Sequence, residues 1–269
     1  MINQNRKLNQ STDHPGKYKK RNLLSAFSKQ ITFLSFLVLF IPGKTASAMV
    51  PLMDVINTPT AVTLDRGVYD LSFFAYNSGS LLSQASLGVH SNILLGVTFD
   101  IENVIGEETP RMNVPGVNAR FKFTDGTPEF PILLAIGYSS FYSSRYSRTD
   151  ETDNPFNRQL YGPYFVITKP VFIAGSEQHV HFGLRTPVQP SYLPEETALF
   201  VSFDYPLGNF VPMIEIEHVV FDYRRMDEIL YNAGFRFLFA DNLAIEFNVV
   251  SGLGLASNRM VVIQFMDKF

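Results

Sequence analysis

The feature that most constrains this chain is alternation of side-chain character with a period of two, repeated along most of its length. From Ile93 to Glu102, the residues Ile93, Leu95, Val97, Phe99 and Ile101 share one face, while Leu94, Gly96, Thr98, Asp100 and Glu102 share the other. Val117, Ala119, Phe121 and Phe123 oppose Asn118, Arg120 and Lys122 in the same way. Tyr231, Ala233, Phe235, Phe237 and Phe239 oppose Asn232, Gly234 and Arg236, and Leu243, Ile245, Phe247 and Val249 oppose Ala244, Glu246 and Asn248. Val180, Phe182 and Leu184 oppose His179, His181, Gly183 and Arg185, and Leu199, Val201, Phe203 and Tyr205 oppose Ser202 and Asp204. A period of two is the repeat of a β-strand with two different faces. No helical stripe is sustained. The pattern predicts about 12 strands, over 66–76, 81–90, 93–103, 113–123, 131–142, 160–173, 178–187, 197–205, 210–221, 229–239, 243–250 and 259–267.

The connections alternate between short and long. Tight turns fall at His90-Ser91-Asn92, Gly175-Ser176-Glu177-Gln178, Pro206-Leu207-Gly208-Asn209 and Ala240-Asp241-Asn242, rich in the residues that turns favour. Longer polar loops fall at 104–112, 143–159, 188–196 and 222–228. Membrane barrels of the outer-membrane kind show this asymmetry, with short periplasmic turns and long outer loops. No predicted strand is obviously an edge strand protected by charge or proline, as an open sheet would need. Closure solves that problem, and in lipid it is required, because every backbone N–H and C=O must be paired within the protein. The expected fold is therefore all-β: a closed antiparallel transmembrane β-barrel over 66–269, with outer-membrane lipid as its solvent. An even strand number places both termini in the periplasm. A secreted soluble β-sandwich or barrel is the alternative that alternation alone leaves open.

The first residues are expected to direct export. Lys17, Lys19, Lys20, Arg21 and Lys29 form a basic stretch, 31–41 is an apolar run, and Ala46-Ser47-Ala48 supplies small residues for cleavage. The run is too short for a spanning helix, which needs about 20 residues. Residues 1–48 are expected to be a signal peptide, with an uncleaved anchor as the alternative. This stretch holds eight of the 22 Lys and Arg and one of the 25 Asp and Glu, so the remainder has 14 basic and 24 acidic residues, a net charge of −10. Such a balance argues against a nucleic-acid partner. The chain has no cysteine, so no disulfide supports it.

At 54–70 the sequence reads DVINTPTAVTLDRGVYD. The stretch resembles the opening of bacterial barrels related to the exopolysaccharide-associated outer-membrane proteins of the YjbH type, through Thr58, Pro59, Thr60, Ala61, Leu64 and Gly67. The likeness continues in GVTFDIENVIG (96–106), PGVNARFKF (115–123), PILLAIGYSS (131–140) and NAGFRFLFADNLAIEFNV (232–249). It implies an outer-membrane barrel linked to envelope polysaccharide and carries no catalytic residues with it. The terminal Phe269 after Val261, Ile263 and Phe265 resembles the signal read by barrel-assembly machinery, although Asp267 and Lys268 interrupt the alternation.

If the apolar faces meet lipid, the charged faces line the bore. That set is Asp100, Glu102, Arg120, Lys122, Arg185, Asp204, Glu215, Glu217, Arg236 and Glu246. Asp100 and Glu102 are expected to pair with Arg120 and Lys122 across one loop. The set reads either as a fixed ion-pair network filling the bore or as a charge-lined conduction path. Residues 49–65, with Pro59 unfit for a strand interior, read either as a periplasmic linker into the first strand or as a partial plug. His179 and His181 share a face at metal-binding spacing, as do Glu215 and Glu217, but nothing in the sequence joins the pairs, and no metal or cofactor is assigned. Tyr69, Tyr138, Tyr161 and Tyr205 suit interfacial girdles. No catalytic residue is assigned. The expected role is a non-enzymatic barrel serving envelope structure or passage of a small solute or polysaccharide. The alternative is a membrane-embedded lipid-modifying enzyme using His218 on its outer wall.

Overall fold

The computed structural model describes residues 50–76, 79–127, 129–140, 162–173, 176–186, 197–220, 229–252 and 258–269. The expected signal peptide and the outer loops expected at 143–159, 188–196 and 222–228 lie outside them.

Alternating segments become strands because each presents an apolar row to one side and a smaller or polar row to the other. In chain order they are β1 (Val68–Tyr76), β2 (Ser80–His90), β3 (Ile93–Glu102), β4 (Arg111–Met112), β5 (Gly116–Thr124), β6 (Leu133–Ser140) and β7 (Pro163–Ile173). Then come β8 (Ser176–Arg185), β9 (Ala198–Asp204), β10 (Phe210–Val220), β11 (Leu230–Ala240), β12 (Leu243–Gly252) and β13 (Asn258–Lys268). Each long strand pairs antiparallel with its sequence neighbours, and β1 also pairs with β13, from Val68↔Lys268 to Ala75↔Val261. That last pairing closes the ring, so twelve strands form the barrel and the two-residue β4 only pairs with the end of β3. Register shifts at Gly88/His90 and Leu238/Ala240 sit beside two-residue turns, and one at Lys122/Thr124 precedes the 125–132 connection, at strand ends where bulges commonly accommodate curvature.

Strand boundaries depart from expectation in a few places. The strand expected over 113–123 begins at Gly116, because Arg111 and Met112 pair separately with Glu102 and Ile101 while Pro115 has no N–H to offer a ladder. The strand expected over 178–187 runs from Ser176 to Arg185, since the β7–β8 ladder continues to Ile173↔Ser176. The expected ends at 141–142, 160–161, 187 and 221 lie outside the described residues.

The two faces of the wall differ sharply. On β3, Leu95 and Val97 are 49% and 43% exposed, whereas their inward neighbours Leu94 and Thr98 are each 1% exposed. The outward row continues through Val117, Phe121, Phe182, Val201, Ile214, Ile216, Phe235, Phe237, Phe247, Val249, Val261 and Ile263. A continuous apolar belt of this kind is what acyl chains solvate and water does not. The soluble alternative is incompatible with it. Tyr69 packs against Phe265 and Phe269, with ring centroids 6.3 and 4.9 Å away, and Tyr205 stacks on Phe203 at 6.3 Å, both close to the short-turn rim. Tyr161 lies outside the described residues.

Candidate functional site

The bore is occupied by the chain itself. Residues 50–65 enter beside the short turns, rise to a tip at 55–58 and return, so both ends leave by the same mouth. A tight turn makes the tip, with the Val55 N–H donating to the Thr58 carbonyl at 2.9 Å. The two arms are tied together by the Thr60 N–H to the Met53 carbonyl (3.1 Å) and by the Thr60 hydroxyl to the carbonyls of Leu52 (2.8 Å) and Met53 (3.0 Å). Where the hairpin passes into β1, Gly67 takes φ +80°, a conformation that L side chains disfavour. Its N–H donates to Gly88 and its carbonyl accepts from Phe269. A Cβ at Gly88 would lie 2.1 Å from the Asp65 carbonyl oxygen, so the missing side chain there makes room for the returning arm.

One side of the hairpin is held by polar wall groups. The Glu215 carboxylate on β10 accepts from three successive backbone N–H groups, of Ile56 (3.1 Å), Asn57 (3.0 Å) and Thr58 (3.1 Å). It also accepts from the Thr58 hydroxyl (2.8 Å) and from Asn232 Nδ2 (2.6 Å). Glu217, one pleat further along the same face, accepts from Asn57 Nδ2 (3.0 Å) and Asn232 Nδ2 (2.8 Å). Arg120 does the converse for carbonyls. It donates to Met53 (2.9 Å) and Val62 (2.7 Å), pairs with the Asp54 carboxylate (2.9 Å) and donates to the Tyr164 hydroxyl (2.8 Å). Arg185 donates to the Asn57 carbonyl (2.9 Å) and lies 3.6 Å from Glu217. The Ala61 N–H donates to the Thr168 hydroxyl (2.8 Å), which is hydrogen-bonded to His181 Nδ1 (2.9 Å). His181 and His179 then share the carboxylate of Asp204, at 2.8 and 3.1 Å.

The other side of the hairpin is apolar and meets an apolar strip of wall. Leu52, Val55 and Ile56 pack with Tyr76, Leu82, Val211, Met213, Val250, Met260 and Val262. Val50, Met53 and Leu64 pack with Leu94 and Met266 nearer the short turns. Ala61 packs with Ala135, Tyr164, Val166 and Phe200. Two inward glycines seat the large rings of that last group: a Cβ at Gly137 would fall 2.2 Å from Tyr164 Cζ, and one at Gly183 2.3 Å from Phe200 Cζ.

The expected pairing of Asp100 and Glu102 with Arg120 and Lys122 does not occur as drawn. Antiparallel register sets Arg120 opposite Leu94 at one end of β3, while Asp100 and Glu102 lie towards the other end. Asp100 instead takes the Tyr76 hydroxyl and Asn113, Glu102 takes Asn113, and Lys122 pairs with Asp125 in the adjoining turn. Arg236 lies 3.7 Å from Glu246 and donates to Gln264, which donates in turn to Asp70 (2.6 Å). The wall charges thus form several local clusters, and the central ones are completed by the hairpin. Thr58, Pro59, Thr60 and Ala61 make its tip and returning arm. Asp70, Thr168, Asn232 and Gln264 belong to the same lining and escaped the charge-based reading, though each falls on an inward position of its strand. His218 sits on β10, with its side chain outside the described residues. Among the described residues, no group of three or more His, Asp and Glu is arranged to hold a metal ion.

A closed antiparallel ring with an apolar outer wall and a bore lined by ionisable and amide groups defines the class: a transmembrane β-barrel of the outer-membrane kind. Comparison with solved structures agrees. A structure described as "KdgM porin" superposes with a TM-score of 0.50 at 12% identity, covering 74% of this chain and 98% of that one. One described as "KdgM porin in complex with disordered oligogalacturonate" gives 0.48 at 14% identity, covering 74% and 98%. A porin of Rhodopseudomonas blastica, a triple mutant, gives 0.36 at 12% identity, covering 70% of this chain and 55% of its own. At 12% identity the likeness to the first of these is one of fold alone. No protein-family model matches the chain, and no curated protein matches it in sequence.

Proposed function

We propose that the chain is a non-enzymatic outer-membrane barrel for passage of a small hydrophilic solute or polysaccharide, with residues 50–65 as a plug that keeps the bore shut. The observation that carries this reading is how the bore is filled. A wall meant only as a structural post has no need of a re-entrant hairpin held through its backbone by Glu215, Arg120 and Arg185. Larger barrels elsewhere close their lumens with plugs of their own chain. The resemblance of 54–70 to YjbH-type proteins supports envelope polysaccharide as the partner class. Outer-membrane lipid and the barrel-assembly machinery are the other partners, the latter through Phe269, and nucleic acid is not one. Both termini face the periplasm on this reading. Residues 1–48 are a signal peptide whose removal leaves the hairpin at the start of the mature chain.

Planar-bilayer recording tests the reading. The intact barrel should conduct rarely, and a variant in which 52–62 is replaced by a Gly/Ser linker should give steady conductance steps. Silence from both would favour a purely structural barrel. Lipid-modifying activity on labelled phospholipid, lost in His218→Ala, would favour the enzyme alternative.

A further inference from the structure

Between the hairpin and the barrel wall lies a cavity of about 30 Å³, lined among others by Asp54, Gln84, Asn118, Arg120, Tyr164 and Arg185. Its volume suits about two water molecules. Its walls suit something else. Two guanidinium groups reach it from β5 and β8, and each is held by the hairpin: Arg120 by the Asp54 carboxylate at 2.9 Å, Arg185 by the Asn57 carbonyl at 2.9 Å. Asn118 is 6% exposed, and its Oδ1 has no hydrogen-bond partner among the described residues. A buried acceptor without a donor is costly, and a hydroxyl would satisfy it.

We infer that the barrel-wall side of this cavity, formed by Asn118, Arg120 and Arg185, is the binding site for a small organic anion carrying both carboxylate and hydroxyl groups, and that its binding expels the hairpin. The inference rests on the reading of residues 50–65 as a plug. Asp54 is the internal stand-in for the ligand carboxylate on Arg120, where bidentate pairing favours a planar anion. Asn118 Oδ1 receives the ligand hydroxyl. Glu217 on β10 lies 3.6 Å from Arg185, whereas the carboxylate paired with Arg120 is the hairpin's Asp54. A ligand larger than two waters and the seated hairpin cannot share the space. The ligand therefore binds only the hairpin-out state and shifts the equilibrium by its full occupancy of that state.

The test is hydrogen–deuterium exchange of the 50–65 segment in the full barrel, with citrate as probe, sorbitol as the neutral polyol and sulfate as the anion without carboxylate or carbon-bound hydroxyl. Citrate should speed exchange of amides 55–62 by about tenfold or more, and sorbitol and sulfate should not. Asp54→Asn, which removes the internal competitor, should lower the citrate concentration needed by about fivefold. Sulfate acting as well as citrate would reduce the site to one that reads charge alone and overturn the assignment. No effect of citrate would overturn it too. If citrate is inert but the linker variant conducts, passage stands and this site falls. If citrate releases the hairpin but the linker variant is silent, the site stands and passage falls.

Discussion

Glu215→Gln is the substitution that probes the hairpin most sharply. The carboxylate is 2% exposed and accepts from three consecutive backbone N–H groups, one hydroxyl and one amide. Glutamine keeps the shape but turns one acceptor oxygen into a donor that faces donors. Hydrogen bonds to a charged group contribute roughly 1.5–3 kcal/mol each. Losing the equivalent of one or two of them weakens hairpin seating by about 3 kcal/mol, or about two decades in the ratio of seated to released states. Amide exchange followed by mass spectrometry reads this directly. Peptides covering 50–65 should exchange about 100-fold faster in the variant, while β11–β13 peptides keep their protection. Equal exchange of 50–65 in both proteins would refute the argument that Glu215 holds the tip. Faster exchange everywhere would mean that the residue supports the barrel wall rather than the hairpin.

Three further outcomes follow from the same geometry. Arg120→Met strips two backbone carbonyls and a partly exposed carboxylate of their donor and should cost about 2–4 kcal/mol, seen as a lower temperature for loss of the compact gel band. Gly183→Ala forces a Cβ to 2.3 Å from both the Phe165 carbonyl oxygen and Phe200 Cζ. It should destabilise by about 1–3 kcal/mol in the same heat-modifiability assay, because the carbonyl belongs to the wall and cannot swing away. Ile214→Arg, outward on β10, should cost about 2–4 kcal/mol in urea unfolding from lipid vesicles, and Ile214→Leu almost nothing.

The strands were legible because period-two alternation survives wherever one face meets lipid and the other does not. Phe235, Arg236 and Phe237 announce their sides in three residues. The site was legible only as a set of inward charges. What the charges pair with depends on register, which is why Arg120 finds Asp54 of the hairpin and not Asp100 of the neighbouring strand. The hairpin had a signal of its own that charge counting passes over. Leu82, Leu94, Val211, Met213, Met260 and Val262 are apolar on inward positions, where a water-filled bore would favour polar residues. An apolar strip inside a polar lumen implies an apolar object against it, and Leu52, Val55 and Ile56 supply that object. Thr168, Asn232 and Gln264 are uncharged, so nothing local in the sequence separates them from ordinary wall residues.

The wall itself can be interrogated with light, because the chain contains no tryptophan and each Phe→Trp change introduces a single fluorophore. Phe247 points outward and Phe200 is 2% exposed and points into the bore. In vesicles of brominated phosphatidylcholine, the Phe247→Trp protein should be strongly quenched and the Phe200→Trp protein should fluoresce as it does in unbrominated lipid. Equal quenching at both positions, or none at either, would contradict a closed barrel that turns its apolar side chains to the acyl chains.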